Sequence, residues 1–452
     1  MSTPASQVRL PSRLTPEALL AGLARGRGSA RSDGTPGAGS PLTHVHRVEA
    51  RVAEVCDWPS WVTPSLYAAL TQAGLTGLWS HQREAADAAH SGEHVVLSTG
   101  TASGKSLGYL LPVLSDLVDG SSAPNGRGAT ALYLSPTKAL AQDQLHRLDA
   151  LALPGLRAAT YDGDTAPEGR RWVREHANYV LTNPDLVHHS LLPGHEHWAP
   201  FLRALRYVVV DECHVYRGVF GTHLAMLLRR LRRVAARYRS YPVFVLASAT
   251  VADPGGHAER LVGMPVRAVS RDGSPRAALT FGLWEPGGSQ PSPATTPTAT
   301  PTATPVGEPP VRRRSAVAES ADLLADLVAE GVQTVAFARS RAGVEAISSA
   351  ARRHLLEMDA ALGDAVAAYR GGYLPEERRA LEQSLRSGEL VGLAATNALE
   401  LGIDVTGLDA VLLAGWPGTR ASMWQQAGRA GRAGAESLAV LVAADDPLDT
   451  YL

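Results

Sequence analysis

The sequence predicts an α/β fold of two domains, each a parallel sheet covered by helices on both faces. Three observations predict it. Short apolar runs alternate with amphipathic stretches of helical period, in two successive series. The segments rich in polar, reactive side chains follow the ends of those runs, where open parallel sheets bind ligands. The 452 residues are 45% hydrophobic, enough for two or three domains with substantial cores.

Taken in order, residues 1–42 are expected to be a largely disordered N-terminal segment, because the stretch from about Arg25 to Ser40 is rich in Gly, Ser, Arg and Ala. Within it, Thr15-Pro16-Glu17 can start a short helix, with Thr15 as N-cap and Pro16 at the first helical position. The first domain is expected over 43–270, with strands His94–Ser98, Ala131–Ser135, Tyr179–Thr182, Tyr207–Val210 and Val243–Ala247. Its helices include Ser106–Leu117 and Lys138–Leu151. The second domain is expected over 271–452, with strands Ala278–Trp284, Thr334–Ala338, Ala367–Tyr369, Gly392–Ala395, Ala410–Ala414 and Ser437–Val442. The Pro/Thr-rich tract at 287–310 is extended and solvated. Because a strand precedes it, it reads as a loop inserted in the second domain, with the linker near Ser270–Arg276.

Composition narrows the partners. A formal net charge of −1 gives no global basic field, so any nucleic-acid contact must come from a local groove. Cys56 and Cys213, the two cysteines, suit a reducing compartment and supply neither a disulfide framework nor a zinc site. No apolar run approaches a membrane span, and Met1–Leu10 lacks the core of a signal peptide. A soluble, cytoplasmic protein is expected.

Of the 43 Lys and Arg residues, two are lysines, Lys105 and Lys138. An ammonium is a compact point charge whereas a guanidinium is a wide fork, so the surviving lysines mark places where shape as well as charge matters. Lys105 lies in Thr99-Gly100-Thr101-Ala102-Ser103-Gly104-Lys105-Ser106, between a predicted strand and a predicted helix. Backbone N–H groups and a helix dipole converge there on a phosphate. Lys105 would reach the β- and γ-phosphates of ATP, and Ser106 would ligate Mg²⁺. The loop departs from the general pattern, since three residues separate Gly100 from Gly104.

Downstream, the apolar strand Tyr207–Val210 ends in Asp211-Glu212-Cys213-His214. Paired carboxylates at a strand end suit Mg-nucleotide hydrolysis: Asp211 for the metal, Glu212 to orient and deprotonate water.

With these two motifs the chain resembles a superfamily-two helicase of the DExH type, and further motifs stand in family order between Leu78 and Arg432. The resemblance implies two RecA-like domains. It implies ATP-binding positions at Gln82, as an adenine-reading glutamine, and at Asp404, and it adds His214 and Gln426 to the catalytic set. Pro136-Thr137-Lys138 and Thr182-Asn183-Pro184 resemble strand-contacting motifs, as do Phe337-Ala338-Arg339 and Ala395-Thr396-Asn397. Thr137, Lys138, Thr182, Asn183, Arg339 and Thr396 are therefore the expected nucleic-acid contacts. Ser248-Ala249-Thr250 resembles the motif coupling hydrolysis to domain movement, through Ser248 and Thr250. Gln425-Gln426-Ala427-Gly428-Arg429-Ala430-Gly431-Arg432 resembles the arginine-finger motif, and such a finger contributes about 10³–10⁵ in rate.

Contacts to phosphates and sugars position a strand without reading bases, so binding is expected to be sequence-independent and salt-sensitive. The basic run Arg229-Arg230-Leu231-Arg232-Arg233 is expected to be the solvated face of a helix rather than part of that path. Within the superfamily, Gly-Thr-Ala-Ser-Gly-Lys-Ser and Asp-Glu-Cys-His resemble the bacterial mitomycin-repair helicases and their yeast RecQ-related relatives. That resemblance implies DNA as partner, 3′-to-5′ movement, a role in DNA repair and nucleoid association. It leaves open an RNA helicase, a duplex translocase, or a truncated nucleotide-gated DNA-binding module. Relatives of that group continue into a cysteine-rich zinc-binding module that this sequence lacks, which raises the expectation of a fragment or truncated product.

Overall fold

The computed structural model describes residues 14–26, 40–120, 128–289, 312–370, 373, 375–396, 408–431, 435–446 and 449. Asp404, Arg432 and most of the Pro/Thr tract lie outside the described residues. The chain divides into two compact units, Val52–Pro275 and a second made of Met1–Arg51 with Arg276–Leu452.

The first unit is built on seven parallel strands, in the order Arg267–Val269, Val95–Ser98, Val243–Ser248, Leu205–Val210, Thr130–Leu134, Tyr179–Thr182 and Ala158–Thr160. Alternation along each strand feeds two cores. Val96, Leu132, Val180 and Val208 face one layer of helices, while Val95, Leu97, Tyr133 and Val209 face the other. Fully burying each such side chain is worth about 1.5–3 kcal/mol. Both faces are therefore covered, which is why these strands read as continuous apolar runs. The two outermost strands were not legible as runs: each is three residues long and partly exposed.

The second unit also has seven strands, ordered Leu42–Val48, Leu279–Trp284, Ser437–Val442, Ala410–Ala414, Thr334–Ala338, Gly392–Ala395 and Val366–Tyr369. Six run parallel, but Leu42–Val48 pairs antiparallel with Leu279–Trp284. The parallel sheet thus carries one antiparallel edge strand, and residues 43–51 fall in the second unit. The strand carries no apolar run in sequence because it is an edge: Leu42 is buried, and the following His44, His46 and Arg47 face solvent.

Helix Pro16–Arg25 begins where Thr15-Pro16-Glu17 predicts a helix start, within the segment otherwise expected to be largely disordered. Thr15 caps it by accepting from Ala18 N at 3.2 Å. Leu20, Leu23 and Ala24 pack into the same core as Leu42, Trp284 and Leu324. Arg47 bridges this helix and the sheet, pairing with Glu17 and, at 2.6 Å, with Glu436. The flanks of the Pro/Thr tract meet in a short antiparallel ladder, Gly288–Ser289 against Arg312–Arg313.

The chain passes between the units twice, and the two passages run side by side. Arg51 and Arg276 exchange backbone hydrogen bonds at 2.7 and 2.9 Å, and Glu54 N donates to Gly273 O at 2.9 Å. No helix among the described residues is long and apolar enough to cross a membrane.

Candidate active site

The chemistry-bearing turns of the first unit share the carboxyl edge of its sheet. The Lys105 loop follows Val95–Ser98, the Asp211-Glu212 turn follows Leu205–Val210, and Val243–Ser248 with its Ser-Ala-Thr turn lies between them.

The loop from Thr99 to Ser106 is held from within and from behind. Thr99 Oγ1 and Ser103 Oγ share a hydrogen bond at 2.6 Å, and Ser103 Oγ donates to Gly100 O at 2.8 Å. Ala102 and Gly104 take positive φ of 59° and 63°, which turns successive amides to one side. Lys105 Nζ donates to Thr99 O and Gly100 O at 3.2 and 2.8 Å, so its ammonium lies over the loop it caps. Thr101 is half-buried in the turn, and Ser106 begins helix Ser106–Asp119.

Gln82 sits behind this loop and is 2% exposed. Its Oε1 accepts from Trp79 N at 2.9 Å and its Nε2 donates to Gly104 O at 3.0 Å. In this structure the side chain braces the phosphate loop, with one amide hydrogen and one lone pair left for further bonds. Its neighbour His81 is buried and was not singled out in the sequence. Gly273 N donates to its Nδ1 at 3.2 Å, so the ring proton is on Nε2, which donates to Ser103 O at 2.8 Å.

Asp211 is buried against two tyrosines. Tyr133 Oη donates to its Oδ2 at 2.6 Å, Tyr109 Oη lies 3.3 Å from the same atom, and Glu212 N donates to Oδ1 at 2.9 Å. Burial, and after it the Glu212 charge, push the Asp211 carboxyl up to about 6. Lys105 acts in the other direction, which places its charge within reach of this carboxylate. Three donors leave Asp211 a lone pair, and Ser106 adds a hydroxyl. Oxygen donors of this kind fit Mg²⁺.

Glu212 adopts a left-handed backbone, φ 48°, which swings its side chain away from the strand axis. Its Oε2 lies 3.3 Å from His214 Nδ1. Ala249 N donates to that same Nδ1 at 3.1 Å, so the nitrogen carries a lone pair and the proton is on Nε2. Ser98 Oγ and Ser248 Oγ both donate to Ala249 O, at 2.9 and 2.7 Å. The Ser-Ala-Thr turn is thus bonded to the phosphate-loop strand and to the Asp-Glu-Cys-His turn, while Thr250 is exposed. Burial raises the Cys213 thiol to about 12, which leaves it unreactive.

Further along the same edge, Thr137 caps helix Lys138–Ala150 by accepting from Leu140 N at 3.3 Å. Lys138 is half exposed and pairs with Asp164 at 2.7 Å. Asn183 Oδ1 accepts from Leu186 N at 2.9 Å. Thr182 departs from expectation. It is 3% exposed and its hydroxyl donates to Tyr161 O at 2.6 Å, so that hydroxyl is turned inward and unavailable to a bound strand.

The second unit places Arg339 and Thr396 just past the carboxyl ends of strands Thr334–Ala338 and Gly392–Ala395. Arg339, exposed, reaches Asp446 at 3.4 Å beside an open cleft of about 380 Å³ lined by Ser315, Ser340, Gly343 and Asp445. Thr396 N donates to Tyr369 O at 3.3 Å. Helix Arg420–Ala427 carries Gln426, 1% exposed, and ends just before Arg429, 7% exposed. Arg429 is thus buried rather than projecting into solvent.

The basic run on helix Gly218–Arg237 divides in two. Arg229 donates to Leu261 O and Arg260 O, and Arg232 to Val262 O and Gly263 O, closing the carboxyl end of helix Pro254–Val262. Arg233 and Arg237 face solvent.

Residues 79–255 match the family described as DEAD/DEAH box helicase, and residues 319–434 the helicase conserved C-terminal domain. An uncharacterized ATP-dependent helicase of Bacillus subtilis, YprA, is 41% identical over 91% of this chain and 52% of its own length. The Saccharomyces cerevisiae ATP-dependent helicase HRQ1 is 36% identical over 91% of this chain and 37% of its own. The chain thus spans about half the length, or less, of these relatives. A crystal structure of the helicase MrfA bound to DNA and AMPPNP matches with TM-score 0.79 and 40% identity, over 91% of this chain and 54% of that one. Mss116p bound to single-stranded RNA, 17% identical with TM-score 0.64, shares the fold of two RecA-like domains.

Proposed function

The chain belongs to the superfamily-two helicases, and from that premise we propose that it hydrolyses Mg-ATP to drive movement along a DNA strand. The observation that carries this reading is the shared sheet edge that brings the Lys105 charge within reach of Asp211, with the Ser-Ala-Thr turn bonded to the strands on either side.

In this reading Lys105 and the loop amides hold the phosphates of ATP. Ser106 and Asp211 would hold Mg²⁺, which supplies charge neutralisation at the phosphates when bound. Glu212 orients the attacking water and accepts its proton. Gln82 adds adenine recognition to its bracing of the loop, and Asp404 belongs to the nucleotide set. Arg429 and Arg432, with Gln426, stabilise charge on the transferred phosphoryl group. Thr137, Lys138, Asn183, Arg339 and Thr396 contact the strand through its backbone, giving sequence-independent binding.

MrfA was crystallised with DNA, and this favours DNA over RNA as the track. Movement 3′-to-5′, a role in DNA repair and association with the nucleoid belong to the same reading. Its test is ATP hydrolysis measured with single-stranded DNA, duplex DNA and RNA of one length. Single-stranded DNA should stimulate most, and Lys105→Ala and Glu212→Gln should each remove nearly all turnover. Robust hydrolysis in both variants would sink the assignment. Stronger stimulation by RNA would replace the track, and nucleotide binding without stimulated turnover would favour a nucleotide-gated DNA-binding module.

A further inference from the structure

A carboxylate lies among the amide donors of the phosphate loop. Gly100 N donates to Asp272 Oδ2 at 3.2 Å, and a Cβ on Gly100 would stand 3.1 Å from the same oxygen. The other oxygen, Oδ1, accepts from Ser274 N and Ser274 Oγ at 3.0 and 2.7 Å, which fixes the carboxylate in place. Asp272 belongs to the last residues of the first unit, before the chain crosses at Pro275/Arg276.

The rest of that segment is tied to the same loop. Gly273 N donates to His81 Nδ1, and His81 Nε2 donates to Ser103 O. Gly273 O accepts from Glu54 N at 2.9 Å, and Arg271 pairs with Glu54 at 2.6 Å. Asp272 and His81 therefore join two residues of the phosphate loop, Gly100 and Ser103, to the paired passages through which the chain leaves the unit. Gly273 is tightly seated: a Cβ there would lie 2.1 Å from Ser80 Oγ.

We propose that Asp272 is a positioning residue that senses nucleotide. Its carboxylate and the phosphates of a bound nucleotide compete for the Gly100 amide, so filling the loop loosens residues 271–274, and holding them weakens nucleotide binding. The inference rests on the reading that this loop binds nucleotide. Its physical basis is that two anions at one donor, in a partly buried site, repel each other more than they would in water. Linkage makes the effect reciprocal, and couplings of this kind amount to about 5–150-fold in affinity. No contact between ADP and Asp272 is needed beyond their shared donor.

The test combines hydrogen exchange of a peptide covering 270–276 with ADP affinity by calorimetry, in the wild type, Asp272→Asn and Asp272→Ala. ADP should speed exchange at Gly273 at least about fivefold in the wild type. Asp272→Asn keeps the shape and an acceptor but not the charge. It should bind ADP at least about fivefold more tightly, with exchange that responds less to ADP. Asp272→Ala should exchange fast with and without ADP. If ADP binds the wild type while exchange stays unchanged, or Asp272→Asn binds ADP no more tightly, the inference is overturned and the nucleotide reading stands. Failure of ADP to bind the wild type overturns both.

Discussion

The amide of Ala249 donates to Nδ1 of His214 at 3.1 Å, which ties the Ser-Ala-Thr turn to the Asp-Glu-Cys-His turn. The bond fixes the tautomer by engaging the Nδ1 lone pair, with Glu212 Oε2 3.3 Å from the same nitrogen. His214→Ala should leave ATP affinity within about twofold. It strands a buried amide at a cost of about 1–3 kcal/mol in stability, and because it cuts the tie between the two turns, kcat should fall by about tenfold or more. Separate measurement of nucleotide binding and single-turnover hydrolysis checks this, and an unchanged kcat would detach His214 from the chemistry.

Asp211 is a buried carboxylate whose ionisation is disfavoured, first by burial and then by Glu212. Its folded pKa, up to about 6, exceeds the ordinary aspartate value of 3.8, so the folded protein binds the proton more tightly than the unfolded chain. The charged form therefore lowers stability above about pH 6, and that cost is relieved as pH falls toward 4. In nucleotide-free protein, Asp211→Asn should raise the melting temperature at pH 8, with the difference shrinking as pH falls through 6. Hydrolysis should be lost at every pH.

Gly104 has a φ of 63°, and a Cβ there would lie 2.5 Å from Gln82 Nε2 and 2.9 Å from the Trp79 ring. Gly104→Ala should displace the Gln82 amide and distort the amides on either side of Lys105. A stability loss of about 1–3 kcal/mol is expected from the strained backbone, together with at least tenfold weaker nucleotide binding. Denaturant titration and calorimetry measure the two effects separately.

Four neighbouring arginines divide by role. Arg232 closes the end of helix Pro254–Val262 through Val262 O and Gly263 O, whereas Arg233 faces solvent. Arg232→Ala should cost about 0.5–1.5 kcal/mol, and Arg233→Ala should stay within about 0.5 kcal/mol. Equal losses in chemical denaturation would contradict the division.

What the sequence made legible follows the reach of each interaction. Strands such as Tyr179–Thr182 and Ser437–Val442 were readable because both of their faces are buried, and Lys105 because its neighbours in sequence are also its partners. Leu42–Val48 has one strongly buried residue, so its membership of a sheet is carried by backbone pairing with residues some 240 positions away. Asp272 falls in the segment expected to be linker, and its meaning comes from Gly100, 172 residues distant. Thr182 misled in the opposite sense, because the motif it resembles says nothing about which way its hydroxyl turns. His81, next to the noticed Gln82, carried no pattern that would separate it from a core histidine.

The antiparallel pairing of Leu42–Val48 with Leu279–Trp284 sets an order of events during synthesis. The earlier strand emerges from the ribosome while its partner is still more than 230 residues from being made. At about 5–20 residues per second it waits roughly ten to fifty seconds. During that time most of the Val52–Pro275 unit is made and can begin to fold behind it. An edge strand carrying two histidines and an arginine is well suited to such a wait, since its exposed polar face gives neighbouring nascent chains little to adhere to.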